Sequence, residues 1–416
     1  GRTADADAWY RRALDTDSTP AQLEAIHHFA RNAFATRDIG EAVRLCRLAT
    51  EFAADDSAEW VNLGAALRAS GDEALAQRAL RRALELEPAN RLAALCLAES
   101  WEKTGDADGA LLAYFQAVTL AQRQGAWRSR ETTPAALYPR VQHAVRCIDA
   151  GRRALYESAL APLVARFGRS ELRRVEHCLS VYLGEVAARY ADPRQKPTFL
   201  YFPDLPAVAY PPLELFPWID ALEQATDTIR REVLGVIAAG HGLEPFDDPA
   251  QLGKLVSGAP GDASWDAIFL FRHGRRFDAN CASCPATLAA IEDVPLVRIA
   301  DHGPEILFSL LRPGAHILPH RGVTNTRVVA HLALIVPRDC AFHVLGEPLR
   351  EWREGRAFVF DDSFGHEAWN KSDQTRVILM VDTWNPYLTE PERAAVETLV
   401  AAIGDFRARC EAIAQR

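Results

Sequence analysis

Residues 308–337 read FSLLRPGAHILPHRGVTNTRVVAHLALIVP, and residues 360–386 read FDDSFGHEAWNKSDQTRVILMVDTWNP. In both stretches apolar and β-branched residues alternate in short runs, a period-two pattern that predicts antiparallel strands. Six of the twelve histidines fall between His302 and His366, and His320 and His366 are the leading candidates for a site. Arg376 stands ten residues after His366, at the head of the apolar run VILMV. That spacing fits a strand, a turn over Asn370–Gln374 and a return along the next strand. Arg376 then lies beside His366, where a planar guanidinium can grip a carboxylate through two hydrogen bonds. Such a set can hold a metal ion and a small dicarboxylic acid.

Working outward, five phrases follow in order: KPTFLYFPDLP (196–206), FRHGRRFDANC (271–281), HRGVTN (320–325), FDDSFGHEAW (360–369) and VDTWNPYLTEPER (381–393). Together they resemble the aspartyl/asparaginyl β-hydroxylase family of iron(II)- and 2-oxoglutarate-dependent oxygenases. The resemblance implies a double-stranded β-helix (jelly-roll, cupin-like) domain that uses Fe(II), 2-oxoglutarate and dioxygen (O2). It makes His320 and His366 the metal ligands, with no catalytic residue beyond them. It places Ser309, His331, Arg376 and the aromatic position Phe271 at the co-substrate.

Iron sites of this broad type usually add a carboxylate two residues after the first histidine. Here His320-Arg321-Gly322 offers none, as in the family, where water fills the gap. Two neutral imidazoles leave the metal charge uncompensated, so a dianionic co-substrate and the metal should bind together. Asp361, Asp362 and Glu367 are the nearby carboxylates; Glu367 should point away from His366 on the opposite strand face. The chain departs from the family at Val329, where a second arginine is common in the co-substrate site. Arg327, on the same strand face as Val329 and His331, matches an arginine that contacts the substrate carboxylate. His273, near Phe271, is a further candidate for the substrate pocket. The structural alternatives are buried histidines satisfied by backbone, an inward-facing Ser309, and an ion pair of Arg376 with Asp361 or Asp362. His302, His316 and His343 are assigned to loops or strand surfaces.

The N-terminal third carries a 34-residue repeat. Residues 57–90 place Trp60, Leu63, Gly64, Leu67, Gly71, Ala76, Leu80, Ala83 and Pro88 at the positions of a tetratricopeptide repeat. The same register holds in residues 91–124 (Leu97, Ala98, Trp101, Gly105, Ala110, Tyr114, Ala117) and in 22–56 (Ile26, Ala30, Ala33, Ala42, Cys46, Ala49). Small residues at fixed positions let paired helices approach, and neighbouring pairs bury each other's apolar faces. The expected fold class is therefore α + β and multidomain. An α-solenoid over 1–125 precedes a helical extension over 126–195 and the oxygenase domain over 196–416. Seven prolines between Pro193 and Pro217 mark the change. A helix is expected over 217–238 and a last one over about 389–415, capped at Thr389.

Length and composition fit a multidomain globular chain. A net charge of −9 without a basic, aromatic-interleaved cluster argues against nucleic acid, and no apolar run is long enough to span a bilayer. Lysine occurs only at 103, 196, 254 and 371, while arginine and alanine are abundant, a bias that points to a GC-rich bacterial source; the expected location is cytoplasmic. The single methionine, Met380, puts the start of this chain downstream of an initiator, and residues 1–20 hold no signal-peptide core. Of eight cysteines, only Cys281 and Cys284 form a close pair. No second ligand pair follows, so they are taken as free thiols.

The expected activity is hydroxylation of the β-carbon of an aspartyl or asparaginyl residue in a peptide or protein, held partly by the repeat groove. Hydroxylation of a lipid acyl chain or a free amino acid is the alternative within the enzyme class. Outside it stands a non-catalytic repeat adaptor, a reading kept open by Val329. A halogenase is a third option, because a missing carboxylate leaves room for chloride.

Overall fold

The computed structural model describes residues 12, 19–257 and 265–415. They form two compact units, one from residues 1–155 with 405–416 and the other from 156–404. The stretch 126–195 is thus divided between the units, and the last twelve residues join the first.

The first unit is built from helix pairs: α1 (Thr19–Ala35) with α2 (Ile39–Phe52), α3 (Ser57–Ser70) with α4 (Glu73–Leu86), and α5 (Arg91–Thr104) with α6 (Ala107–Arg123). Asp38, Asp72 and Asp106, spaced by 34 residues, cap the second helix of each pair by accepting a backbone N–H. Before the cap, the chain turns through the left-handed region at Gly71 (φ 87°) and Gly105 (φ 86°). Gly64 marks the closest approach within a pair, since a Cβ there would lie 2.6 Å from Leu80 Cγ. The core of the third pair extends to Val141, Ala144 and Ile148 of α7 (Tyr138–Phe167). It also takes in Phe406, Cys410 and Ile413. Phe406 meets Phe115 edge-on at 5.0 Å, which is why the C-terminal segment belongs here.

In the second unit, α8 (Arg173–Leu183) comes first. The helix expected over 217–238 is two helices, α9 (Ile219–Gln224) and α10 (Thr226–Ala239). The break is held by the Thr226 hydroxyl, which donates to the Glu223 carbonyl at 2.6 Å. After β1 (Leu243–Pro245), α11 (Pro249–Leu255) and β2 (Val256–Ser257) come β3 (Trp265–Arg272) and β4 (Arg275–Arg276). Two short helices follow, α12 (Asp278–Ser283) and α13 (Pro285–Ala290). Cys281 and Cys284 are buried free thiols there, packed in the apolar core.

Seven strands then alternate between two antiparallel sheets. β5 (Ile306–Leu311), β7 (Arg327–Ile335), β9 (Ala357–Phe360) and β11 (Arg376–Trp384) lie in one. β6 (His316–His320), β8 (Cys340–Val344) and β10 (His366–Asn370) lie in the other. The orders are β1-β3-β5-β11-β7-β9 and β2-β6-β10-β8. First and last strands of the series are neighbours, and successive strands switch sheets, which is a double-stranded β-helix.

Period two explains the layers. Ile306, Phe308, Leu310, Val328, Ala330, Leu332, Val377 and Leu379 face α9, α10, α12 and α13. Leu311, Val329, Ala333 and Ile378 face Ile317, Phe342, Val344 and Ala368 of the second sheet. The last helix, α14 (Glu390–Glu411), opens on a reciprocal cap: Thr389 N–H donates to Glu392 and Glu392 N–H to the Thr389 hydroxyl.

One turn of the first unit breaks its own rule. At the position of Gly71 and Gly105 the first pair has Arg37, at φ 62°, with the same closing bonds, Arg37 N–H to Phe34 and Asp38 N–H to Ala33. A side chain in this conformation costs about 1–2 kcal/mol. Arg37→Gly should raise unfolding free energy by about 1 kcal/mol after the entropy of glycine is counted, read as a higher urea midpoint. A lower midpoint would contradict strain at this turn.

Candidate functional site

His320 ends β6 and His366 begins β10, and the two are directly paired across the strands. Their ring centroids are 4.2 Å apart. Each Nδ1 faces a backbone carbonyl two residues earlier, Leu318 at 2.9 Å and Phe364 at 3.0 Å. A carbonyl only accepts, so Nδ1 carries the proton and Nε2 keeps the lone pair, the tautomer a metal ligand needs. Burial holds both imidazoles down to about 4, with His366 adding to the effect on His320. They are neutral near pH 7.

Gly322 leaves room that another residue fills. A Cβ on it would fall 2.1 Å from Cγ of Asp362. The Asp362 carboxylate therefore occupies the volume that a side chain two residues after His320 would take. It is buried, its Oδ1 has no hydrogen-bond partner, and burial raises its pKa while Arg327 and His320 oppose the rise. Among the described residues, no three His, Cys, Asp or Glu ligand atoms at this place lie mutually within 4.8 Å. Asp361 is spent otherwise, on Ser363 and on Gln195 Nε2 at 2.6 Å. Glu367 points to the other face, accepting from His316 at 2.8 Å and His343 at 3.1 Å.

Arg376 is brought here by the expected turn. The buried Asn370 side chain donates to the Leu311 and Gln374 carbonyls and accepts from Ser372, closing the hairpin. Arg376 is 1% exposed. Its Nη1 lies 3.3 Å from the Ser309 hydroxyl, which also accepts from Trp265 Nε1 at 2.9 Å. Its guanidinium carbon sits 4.9 Å from the Trp352 ring centroid, a cation–π contact. Among the described residues no carboxylate pairs with it, so the expected alternative of an ion pair with Asp361 or Asp362 is not formed. Burial alone pulls this arginine down to about 9.

His331 lies among Phe342, Trp352, Phe358 and Phe360, at centroid distances of 4.9–6.1 Å. Among the described residues, both of its ring nitrogens are buried without a partner, as is Nε of Arg376. His366 touches the same lining, 5.8 Å from Phe342 and 5.1 Å from Phe360. Val329 adds an apolar wall on this side.

Two expected placements change. Phe271 packs with the helix-side core instead of lining the site. The cause is a β-bulge between Phe269 and Phe271, which moves Phe271 to the other face. Arg327 is held by an ion pair across the sheet: its Nη1 donates to Asp382 at 2.8 Å, and burial pushes that carboxyl up to about 7. Arg327 Nε has no partner. His273 sits exposed on the turn between β3 and β4, with its ring 2.8 Å from Glu305. Trp265 and Trp352 were missed by sequence reasoning. Trp265 could have been found, since it shares the 265-267-269 face of an alternating strand, but Trp352 lies in irregular chain with no pattern.

The chemical content is a pair of neutral imidazoles, a buried cation lacking a counter-charge, and unpartnered donors next to it. Such a place suits a metal and a small carboxylate. A buried charge without a partner is costly to the fold. Arg376→Met should therefore stabilise the ligand-free protein by about 1–3 kcal/mol while abolishing thermal protection by small dicarboxylates. Destabilisation with carboxylate protection intact would contradict the assignment.

The sequence model of the aspartyl/asparaginyl β-hydroxylase family matches residues 223–386. The chain is 36% identical over 180 residues to the ornithine lipid ester-linked acyl 2-hydroxylase of Rhizobium tropici, covering 43% of this chain and 60% of that one. It is 34% identical over 182 residues to human aspartyl/asparaginyl β-hydroxylase, covering 44% of this chain and 23% of that one. Aspartate β-hydroxylase domain-containing protein 2 of Xenopus tropicalis is 32% identical over 211 residues, covering 50% of this chain and 55% of that one. The chain thus spans 60% or less of the length of these relatives. Residues 223–386 are thus similar to the aspartyl/asparaginyl β-hydroxylase family, a similarity these relatives support.

Proposed function

We propose that residues 156–404 form an iron(II)- and 2-oxoglutarate-dependent hydroxylase. The observation that carries this reading is the buried, carboxylate-free guanidinium of Arg376, on the same aromatic lining as His366 and His331. His320 and His366 would hold the iron through Nε2 as its only protein ligands. Asp362, filling the room at Gly322, would supply negative charge and an acceptor for metal-bound water without binding the metal itself. Arg376, the Ser309 hydroxyl and His331 would hold the distal carboxylate of 2-oxoglutarate. Bound together with dioxygen, iron and 2-oxoglutarate supply the oxidising power that replaces a C–H hydrogen by hydroxyl as the co-substrate becomes succinate and carbon dioxide. The chain's own work is orientation and exclusion of water, for which Trp352, Phe342, Phe360 and Val329 provide the walls.

The favoured substrate is an aspartyl or asparaginyl side chain in a peptide or protein. The tetratricopeptide-like helix pairs support it, because such solenoids offer extended concave surfaces. Arg327 supports it through its unpartnered Nε, with Asp382 fixing the guanidinium. Of the alternatives, a lipid acyl chain or a free amino acid, the acyl chain is favoured by the Rhizobium tropici relative, whose name states acyl hydroxylation of ornithine lipid.

The test is turnover of the full chain with Fe(II), 2-oxoglutarate and dioxygen against acidic and amide peptides and acylated amino-acid lipids, read by succinate release and product mass. We expect a hydroxylated peptide, lost to background in His320→Ala and His366→Ala. Hydroxylation of the lipids alone would overturn the peptide reading. No succinate with any substrate would favour a binding protein, and chlorine in the product a halogenase.

A further inference from the structure

We infer that Glu102, His143 and Cys147 form a second metal site, for zinc or a similar borderline transition ion, within the first unit and separate from the proposed iron site. Glu102 comes from α5, while His143 and Cys147 lie four residues apart on α7 and so project from one helix face. Their ligand atoms lie within 4.8 Å of one another, the one such group of three among the described residues. Cys147 Sγ is 3.4 Å from His143 Nε2 and 3.7 Å from a Glu102 carboxylate oxygen. His143 Nε2 is 2.8 Å from both carboxylate oxygens.

A tetrahedral zinc with bonds of about 2.3 Å to sulfur and about 2.0–2.1 Å to nitrogen and oxygen sets sulfur roughly 3.5 Å from either and nitrogen roughly 3.3 Å from oxygen. Both sulfur distances already match. Only the histidine–carboxylate pair must open, by about 0.5 Å on the same bond lengths, when the metal replaces their shared proton.

The carboxylate is oriented from behind. The hydroxyl of buried Tyr114 donates to Glu102 Oε2 at 2.6 Å, and the Tyr114 ring meets the His143 ring edge-on at 5.9 Å. Such outer bonds fix ligand orientation in metal sites. His143 and Glu102 are 44% and 42% exposed in their side chains, so the fourth position opens to solvent. Of the eight cysteines Cys147 alone is not buried. Thiolate with imidazole and carboxylate selects zinc or cobalt over calcium or magnesium. A metal there would pin α5 of the third helix pair to α7.

The experiment is an anaerobic Co(II) titration of the reduced full-length protein, followed by the near-ultraviolet thiolate-to-cobalt absorption band. The proposed iron site contains no thiol, so the band reports this site alone. We expect the band in the wild type and in the His320→Ala/His366→Ala variant, its loss in Cys147→Ser, and Co(II) affinity lower by about tenfold or more in Glu102→Gln. Added Zn(II) should erase it. Absence of the band in the wild type, or its survival in folded Cys147→Ser, would overturn the inference and leave an ordinary surface ion pair.

Discussion

Arg376 is buried with its guanidinium against Trp352 and, among the described residues, has no carboxylate paired with it. Proteins rarely keep a buried cation in this state unless something else supplies the missing charge. Much of the second unit can be read as the apparatus that keeps it there. Asn370 ties the hairpin that delivers it. Ser309, whose hydroxyl accepts from Trp265, also accepts from Arg376 Nη1. The direct pairing of His366 with His320 is set by the register of β10 on β6, and a one-residue slip of β10 would turn His366 to the opposite face from His320.

Much of this was legible in the sequence. Alternation in 308–337 and 360–386 predicted the strands, the ten-residue interval to Arg376 encoded the hairpin, and the family resemblance singled out Ser309 and His331. The 34-residue register located the helix pairs through glycines and other small residues at fixed positions, all local signals, while the capping aspartates at 38, 72 and 106 emerged only with the structure. What was not legible depends on tertiary placement. The bulge that turns Phe271 away inserts no recognisable motif. The pairing of Arg327 with Asp382 joins residues 55 positions apart. Nothing local says that Asp362 fills the volume left by Gly322, because that needs the approach of two segments. Trp352 escaped for the same reason. The last twelve residues read as part of a C-terminal helix but gave no hint that Phe406 packs on Phe115.

If His320 and His366 hold a metal as proposed, Asp362, which fills the room at Gly322, would offer that two-histidine centre a carboxyl group in place of the missing ligand. Burial and the neighbouring His320 and Arg327 act on that carboxylate in opposite senses, so its charge depends on what else is bound. In the proposed site, two neutral imidazoles, one buried carboxylate and one guanidinium without a carboxylate partner would make metal and dianion binding mutually dependent, and such coupling is reciprocal.

The central claim is therefore tested by measuring metal affinity with and without 2-oxoglutarate, using Mn(II) and paramagnetic resonance, in the wild type and in Arg376→Met. The account predicts that 2-oxoglutarate tightens Mn(II) binding by about tenfold or more in the wild type, a coupling of about 1.4 kcal/mol, and has little effect in Arg376→Met. Equal Mn(II) affinity with and without 2-oxoglutarate, or coupling that persists without the guanidinium, would contradict it.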